Sequence, residues 1–256
     1  MIGLAIGLVV IAGGLAFFGT QVFANYRVLG SSKVQQELNA LMLVMVNDIR
    51  RSGYWGGAAV DNIAANPFSQ VGSTAPEVHD DMESDTNQVD ADGDPAGVGS
   101  CVVYAYDSDD PAGNGVVDDT DLFGFRLNGG VVEMRRQGDS TGTINSCSDD
   151  SANPGDWDTL TDPALISVTG LSFDLRPSSC LNTAEPDGVD DDADGTVDED
   201  EEADCYTVPA AVGSGDVTVE VRQLTITVDG QLANDASSRA TVTQTVRIRN
   251  DMVRVR

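Results

Sequence analysis

The chain has 256 residues and sets 42 Asp and Glu against 14 Lys and Arg, for a formal net charge of −28. That length can bury a substantial core in one large domain or two small ones. The negative excess repels phosphate backbones and flat anionic lipid surfaces, which argues against nucleic acid as a partner.

Residues 1–24, MIGLAIGLVVIAGGLAFFGTQVFA, carry no charge, and Arg27 is the first charged residue. As a helix this run is ~36 Å long, against a bilayer core of ~30 Å. A cleaved signal peptide would start with basic residues and have a shorter apolar core, and neither holds here. Gly3 and Gly7 form a G-x-x-x-G pair, and with Gly14 and its neighbours they put small residues on several faces, as in a helix that packs against other helices. Beyond the apolar run, Val34, Leu38, Leu41, Met45 and Ile49 recur at helical spacing as a one-sided stripe. No proline occurs before Pro67, and Gly53 offers a stop. One helix is therefore expected over residues 1–51. Its first 24 residues would be a transmembrane or filament-core segment, and its second half would lie against a globular part, residues 52–256.

After residue 52 the pattern turns period-two. Segments 101–106, 122–127 and 130–136 read as strands, the last two joined at Asn128–Gly129, a hairpin signal. Segments 165–176, 217–228 and 240–250 add more. The apolar set in 217–228 shifts from Val217, Val219 and Val221 to Leu224, Ile226 and Val228, which suggests a bulge near Arg222–Gln223. Antiparallel pairing is expected because no crossover helices intervene. The stretches 72–100, 107–121, 137–162 and 177–216 are rich in Asp, Gly and Ser and read as loops. The fold class is α+β, a long helix on an antiparallel sheet with long acidic loops.

Cys101, Cys147, Cys180 and Cys205 are even in number, and none stands in a C-x-x-C pair, so zinc and redox readings are weak. Two disulfides are expected, with free buried thiols as the alternative, and they imply an oxidising compartment. Of three connectivities, Cys101–Cys147 with Cys180–Cys205 is favoured, because the second bond would clasp the base of an acidic loop.

That loop, residues 187–205, holds the most specific chemical motif. Asp190, Asp192, Asp194, Thr196, Asp198 and Glu201 fall in D-x-D-x-D-G-x5-E register, the spacing of an EF-hand calcium loop with Gly195 at its turn. The competing reading is a solvated acidic run. Its flanks are not helical, so a calcium ion here would fasten the segment rather than act as a sensor. A weaker echo places Asp110, Asn114, Val116, Asp118 and Asp121 on loop positions, with Ala112 where a ligand should stand. Segment 90–97 is shorter still and reads as a plain loop. His79 is the only histidine and sits in a polar stretch, so a surface position is expected and no nucleophile–His constellation can form beyond it. Carboxylate pairs are too abundant to discriminate, and no phosphate-cradling glycine loop follows a strand. No enzyme is expected.

The segments GLAIGLVVIAGGL and ALMLVMVNDIRRSGYWGG resemble the N-terminal half of PilW-type minor pilins of type IV pili and, more distantly, GspJ-type minor pseudopilins of type II secretion. DIRRSGYWG, residues 48–56, is the most specific part. FGFRLNGGVVEMRR and TVTQTVRIRN also sit where that family keeps similar segments, while the acidic middle is poorly covered. The resemblance implies a pilin-like fold and a filament subunit that assembles through its apolar helix. It also implies partners: other pilins, a prepilin peptidase and an inner-membrane assembly platform. The protein would reside in the inner membrane with its globular domain outside the cytoplasm, and then in the pilus. In that family a basic leader ending in Gly precedes a Phe-x-x-x-Glu start. Neither stands here, where Glu37 is the first acidic residue. The expectation is a lost start, and the alternative is an anchored protein that is never processed. Arg27 and Lys33 would by themselves hold the following domain in the cytoplasm, whereas disulfides and calcium suit the outside, so a basic leader before Met1 is expected. The rivals to a minor pilin are a minor pseudopilin and an anchored calcium-binding or adhesive protein that does not polymerise.

Overall fold

A computed structural model of the chain describes residues 2–56, 63–80, 97–108, 114–141, 146–148 and 155–256. The uncharged start and the stripe after it form one unbroken helix, α1 (Ile2–Ile49), ~72 Å long at ~1.5 Å per residue. It stops where the sequence suggests. The amides of Arg51 and Ser52 reach back to the carbonyls of Asp48 and Ile49 at 2.9 and 3.0 Å, and Gly53 turns the chain at φ +72°. That left-handed conformation is what glycine permits without strain.

Twelve strands follow among the described residues: β1 (Glu77–His79), β2 (Val98–Gly99), β3 (Cys101–Ala105), β4 (Leu122–Asn128), β5 (Val131–Gln137), β6 (Asp156–Thr159), β7 (Ile166–Asp174), β8 (Ser179–Asn182), β9 (Val217–Val221), β10 (Gln223–Leu232), β11 (Asp235–Arg247) and β12 (Met252–Val255). All pair antiparallel, in three sheets ordered β1-β3-β4-β5-β6, β11-β10-β7-β2 and β12-β9-β8. The hairpin at Asn128–Gly129 joins β4 to β5 as its turn residues predict. This is the α+β, pilin-like architecture.

The second half of α1 packs on β10 and β11. Val34, Leu38, Met45 and Ile49 are fully buried, with Leu41, Met42 and Val46 beside them. They meet Leu224, Ile226, Val228, Phe173 and Val246 in one core. Two glycines set the closeness of this contact: a Cβ on Gly30 would lie 2.5 Å from Ser238 Oγ, and one on Gly230 would lie 3.0 Å from Leu38. Burying seven such apolar side chains at ~1.5–3 kcal/mol each is the main force holding helix to sheet.

Four expectations need correction. First, there is no bulge at Arg222–Gln223. Thr218, Glu220, Arg222, Leu224, Ile226 and Val228 are all buried, so the inward parity never changes. The valines of β9 face partly outward, and its buried positions are polar because Glu220 and Arg222 pair with each other at 3.1 Å. At Arg222 the chain leaves one sheet and enters the next. The bulge lies instead in β7, where Asp229 and Gly230 of β10 face Gly170 and Val168, so Thr169 is extra. Second, the polar stretches are not all loop, since they carry β1, β2, β6 and β8. In β6, for example, Asp158 pairs with Arg136 of the neighbouring strand at 2.7 Å. Third, the last predicted strand starts earlier, at Asp235, and β12 follows it unforeseen. Fourth, His79 is 2% exposed, in β1 opposite Cys101.

Candidate functional site

The apolar side chains of the described part of α1 before Gly30 stand largely exposed rather than packed on the described sheets. Ile6, Val9, Ile11, Leu15, Phe17, Phe18, Tyr26 and Leu29 are all more than half exposed. An 18-residue window here has mean hydropathy 2.0 and none of it is buried, so the helix is long and apolar enough to cross a membrane. A Cβ on Gly3, Gly7, Gly13, Gly14 or Gly19 would meet nothing within 4 Å. Their smallness therefore serves no contact among the described residues. It leaves shallow notches on a greasy rod.

The junction between rod and body is built by Asp48 and the residues after it. The hydroxyls of Tyr104 and Tyr106 donate to the two carboxylate oxygens of Asp48 at 2.5 and 2.9 Å. Arg51 lies 3.6 Å from the same carboxylate and 4.0 Å above the Tyr106 ring. Burial first, and then the Asp48 charge, push both tyrosine hydroxyls well above their ordinary range. Both phenols thus remain donors. Gly53 N bonds Ala105 O at 2.8 Å, Asn250 Nδ2 bonds Ser52 O at 2.9 Å, and Trp55 packs on Phe68, Ala105 and Leu122. No local pattern marks Asp48 as the latch, since its tyrosine partners lie more than fifty residues away.

Both disulfides have the favoured pairing, Cys101–Cys147 and Cys180–Cys205, with Cα–Cα distances of 6.4 and 5.2 Å. The second closes the acidic loop at its base, alongside a 2.9 Å bond from Asn182 N to Ala203 O.

Within the loop, the structure divides the six predicted ligands. Carboxylate oxygens of Asp190, Asp192 and Asp194 lie within 4.8 Å of one another. Asp190 accepts from the amides of Asp194 and Gly195 at 3.1 and 3.0 Å, and Gly195 makes the turn at φ +99°. Thr196 gives its amide to Asp194 at 2.8 Å. Asp198 turns away, at φ +59°, to accept from Gly188 N at 2.7 Å. It joins Glu185 and Glu202 in a second cluster, again with oxygens within 4.8 Å. Glu201 is exposed and belongs to neither. A third group, Glu185, Asp187 and Asp191, shares Glu185 with the second. The register thus brings three of its six positions together. Sequence reasoning missed Glu185 and Glu202, which no motif spacing marks.

At the weaker echo, Asp110 lies outside the described residues, as does most of segment 90–97. Asp118 and Asp121 form a capping box on a short turn: Asp118 accepts from Thr120 N at 2.9 Å, and buried Asp121 accepts from Asp118 N at 3.1 Å. The Thr120 hydroxyl draws the Asp118 carboxyl below its ordinary range, whereas burial raises that of Asp121. Asn114 accepts from Val116 N at 2.7 Å. These contacts account for the side chains as turn builders.

Residues 27–248 match the family model of prepilin peptidase-dependent protein B. The chain belongs to this family. The match runs from just past the uncharged residues 1–24 to the end of the helix–sheet core, so the prepilin peptidase-dependent protein B region contains the latch, both disulfides and the acidic loop. No curated protein and no solved structure matches the chain. Membership makes the protein pilin-related, a structural rather than catalytic type, with an apolar N-terminal helix suited to membrane anchoring.

Proposed function

We propose that this protein is a PilW-like minor pilin, a subunit that joins or primes a type IV pilus through the first half of α1. One observation carries the reading: a single rigid helix is docked by its second half and bare, uncharged and apolar along its first. In a bilayer that surface faces lipid, and in a filament it faces the same surface of neighbouring subunits. Glycines at the notches let helices approach closely. The prepilin peptidase, other pilins and the inner-membrane assembly platform are its partners, and residues 52–256 form the extracytoplasmic domain, as the disulfides favour. Its work is mechanical, with no catalysis. A type II secretion minor pseudopilin is the same machine in a shorter filament. Calcium on the Asp190–Asp192–Asp194 turn serves as a structural fastener of this domain.

Deleting residues 1–24 tests the reading. The truncated protein should be soluble, folded and monomeric, and absent from sheared filaments that contain the full chain. Recovery of the truncated domain in those filaments overturns the role of the helix.

A further inference from the structure

The Glu185–Asp198–Glu202 cluster carries an observation that the EF-hand register does not. Glu202 is 1% exposed. Its Oε1 accepts from Asp191 N at 2.6 Å, while its Oε2 is shielded from solvent with no hydrogen-bond partner among the described residues. Buried carboxylate oxygens are ordinarily matched by a donor, a cation or a metal. Among the described residues no ion pair reaches Glu185, Asp198 or Glu202, and residues 177–221 contain no Lys, Arg or His. Instead, carboxylate oxygens of Glu185 and Asp198 lie within 4.8 Å of each other and of a Glu202 oxygen.

We propose that Glu185, Asp198 and Glu202 bind a hard divalent cation of the calcium type, at a site separate from the Asp190–Asp192–Asp194 turn. The donor set is oxygen only, which suits calcium or magnesium and not the softer metals that select nitrogen and sulfur. Oxygens within 4.8 Å of one another fit a single calcium shell, which is roughly 5 Å across for bonds of about 2.3–2.6 Å. Glu185 stands on the ascending limb of the loop, and Asp198 and Glu202 stand on the descending limb. An ion between them therefore clips the limbs together, a short way above the Cys180–Cys205 bond. Glu202 supplies the water-excluded wall that the exposed turn lacks. The proposal shares its ion class with the fastener reading of the turn, but each site has its own ligands and can fail alone.

The test uses the full chain in detergent micelles, titrated with calcium alone and followed by calorimetry and by native mass spectrometry to count bound ions. Wild type should bind two ions. Glu202→Gln keeps the volume of the side chain and should lose one ion, or weaken one site at least tenfold. Glu185→Gln, at a half-buried position that folding tolerates better, should do the same. Asp192→Ala with Asp194→Ala should remove the other ion and leave this one. Unchanged binding in both Gln variants overturns the proposal and leaves Glu202 a structural side chain held by the Asp191 amide, even if the Asp192/Asp194 variant loses its ion. If only that double variant keeps full binding, the fastener reading of the turn fails and this site stands.

Discussion

Replacing Asp48 with Ala tests whether the latch holds helix to sheet. The change removes the acceptor of two tyrosine hydroxyls and strands that of Tyr104, whose residue is only 2% exposed. A hydrogen bond to a charged group contributes about 1.5–3 kcal/mol, and a buried donor left without a partner costs about 1–3 kcal/mol. Because the two bonds share one carboxylate, their loss adds to less than twice a single bond, giving about 3 kcal/mol. Arg51 adds little, being half exposed and 3.6 Å away. For a chain of this size 1 kcal/mol moves the melting midpoint by about 2–4 °C, so a fall of roughly 6–12 °C is expected. Near-UV circular dichroism of the detergent-solubilised chain reports it, because Tyr104 and Tyr106 sit at the junction. A double-mutant cycle with Tyr104→Phe isolates the bond, with a coupling of about 1.5–2 kcal/mol expected. A coupling under about 0.5 kcal/mol would show that apolar packing alone seats the helix and that the latch is incidental.

Alkaline pH should act on the same junction. Burial raises the Tyr104 hydroxyl above its ordinary value, so keeping it protonated contributes stability that is fully present below pH ~10 and is lost as pH rises beyond. The melting midpoint should fall steeply above pH ~10, and less steeply in Tyr104→Phe; equal slopes would remove Tyr104 from the account. Replacing Cys180 and Cys205 together with Ser opens a loop of sequence separation 25, which chain entropy values at about 3.5 kcal/mol. Hydrogen exchange should then show lost protection at the amides of Asn182 and Thr183, with the helix–sheet core of β10 unaffected.

Much of the frame was legible from residues alone because it rests on local pattern. The helix needs only an uninterrupted apolar run and the 34–49 stripe, and the β4–β5 hairpin needs only Asn128–Gly129. Where the reading failed, polar groups were buried in pairs. Glu220 and Arg222 hide the true inward parity of β9, and the polar neighbourhood of His79 points to a surface position that the pairing of β1 with β3 overrides. For the acidic loop, spacing identified Asp190, Asp192 and Asp194, since a tight turn brings i, i+2 and i+4 together. It could not show that Asp198 would turn toward Glu185 and Glu202, which depends on two limbs of a loop closing at a disulfide. Asp48 was legible as part of a motif but not as a latch, because hydroxyls far along the chain define its role.

The closure between Asn250 and the carbonyl of Arg51 joins residues 199 apart in sequence. This has a consequence in time. The stripe on α1 leaves the ribosome early, while β10 and β11, which cover it, are made almost last. At ~5–20 residues per second the interval is roughly 10–40 s. During that interval Val34, Leu38, Leu41, Met45 and Ile49 have no native cover, and long-range pairing of this kind forms late. A nascent chain therefore carries two sticky surfaces, the bare apolar first half of α1 and the stripe awaiting its own downstream strands. A holdase that shields the second without touching the first is the kind of helper such a chain calls for.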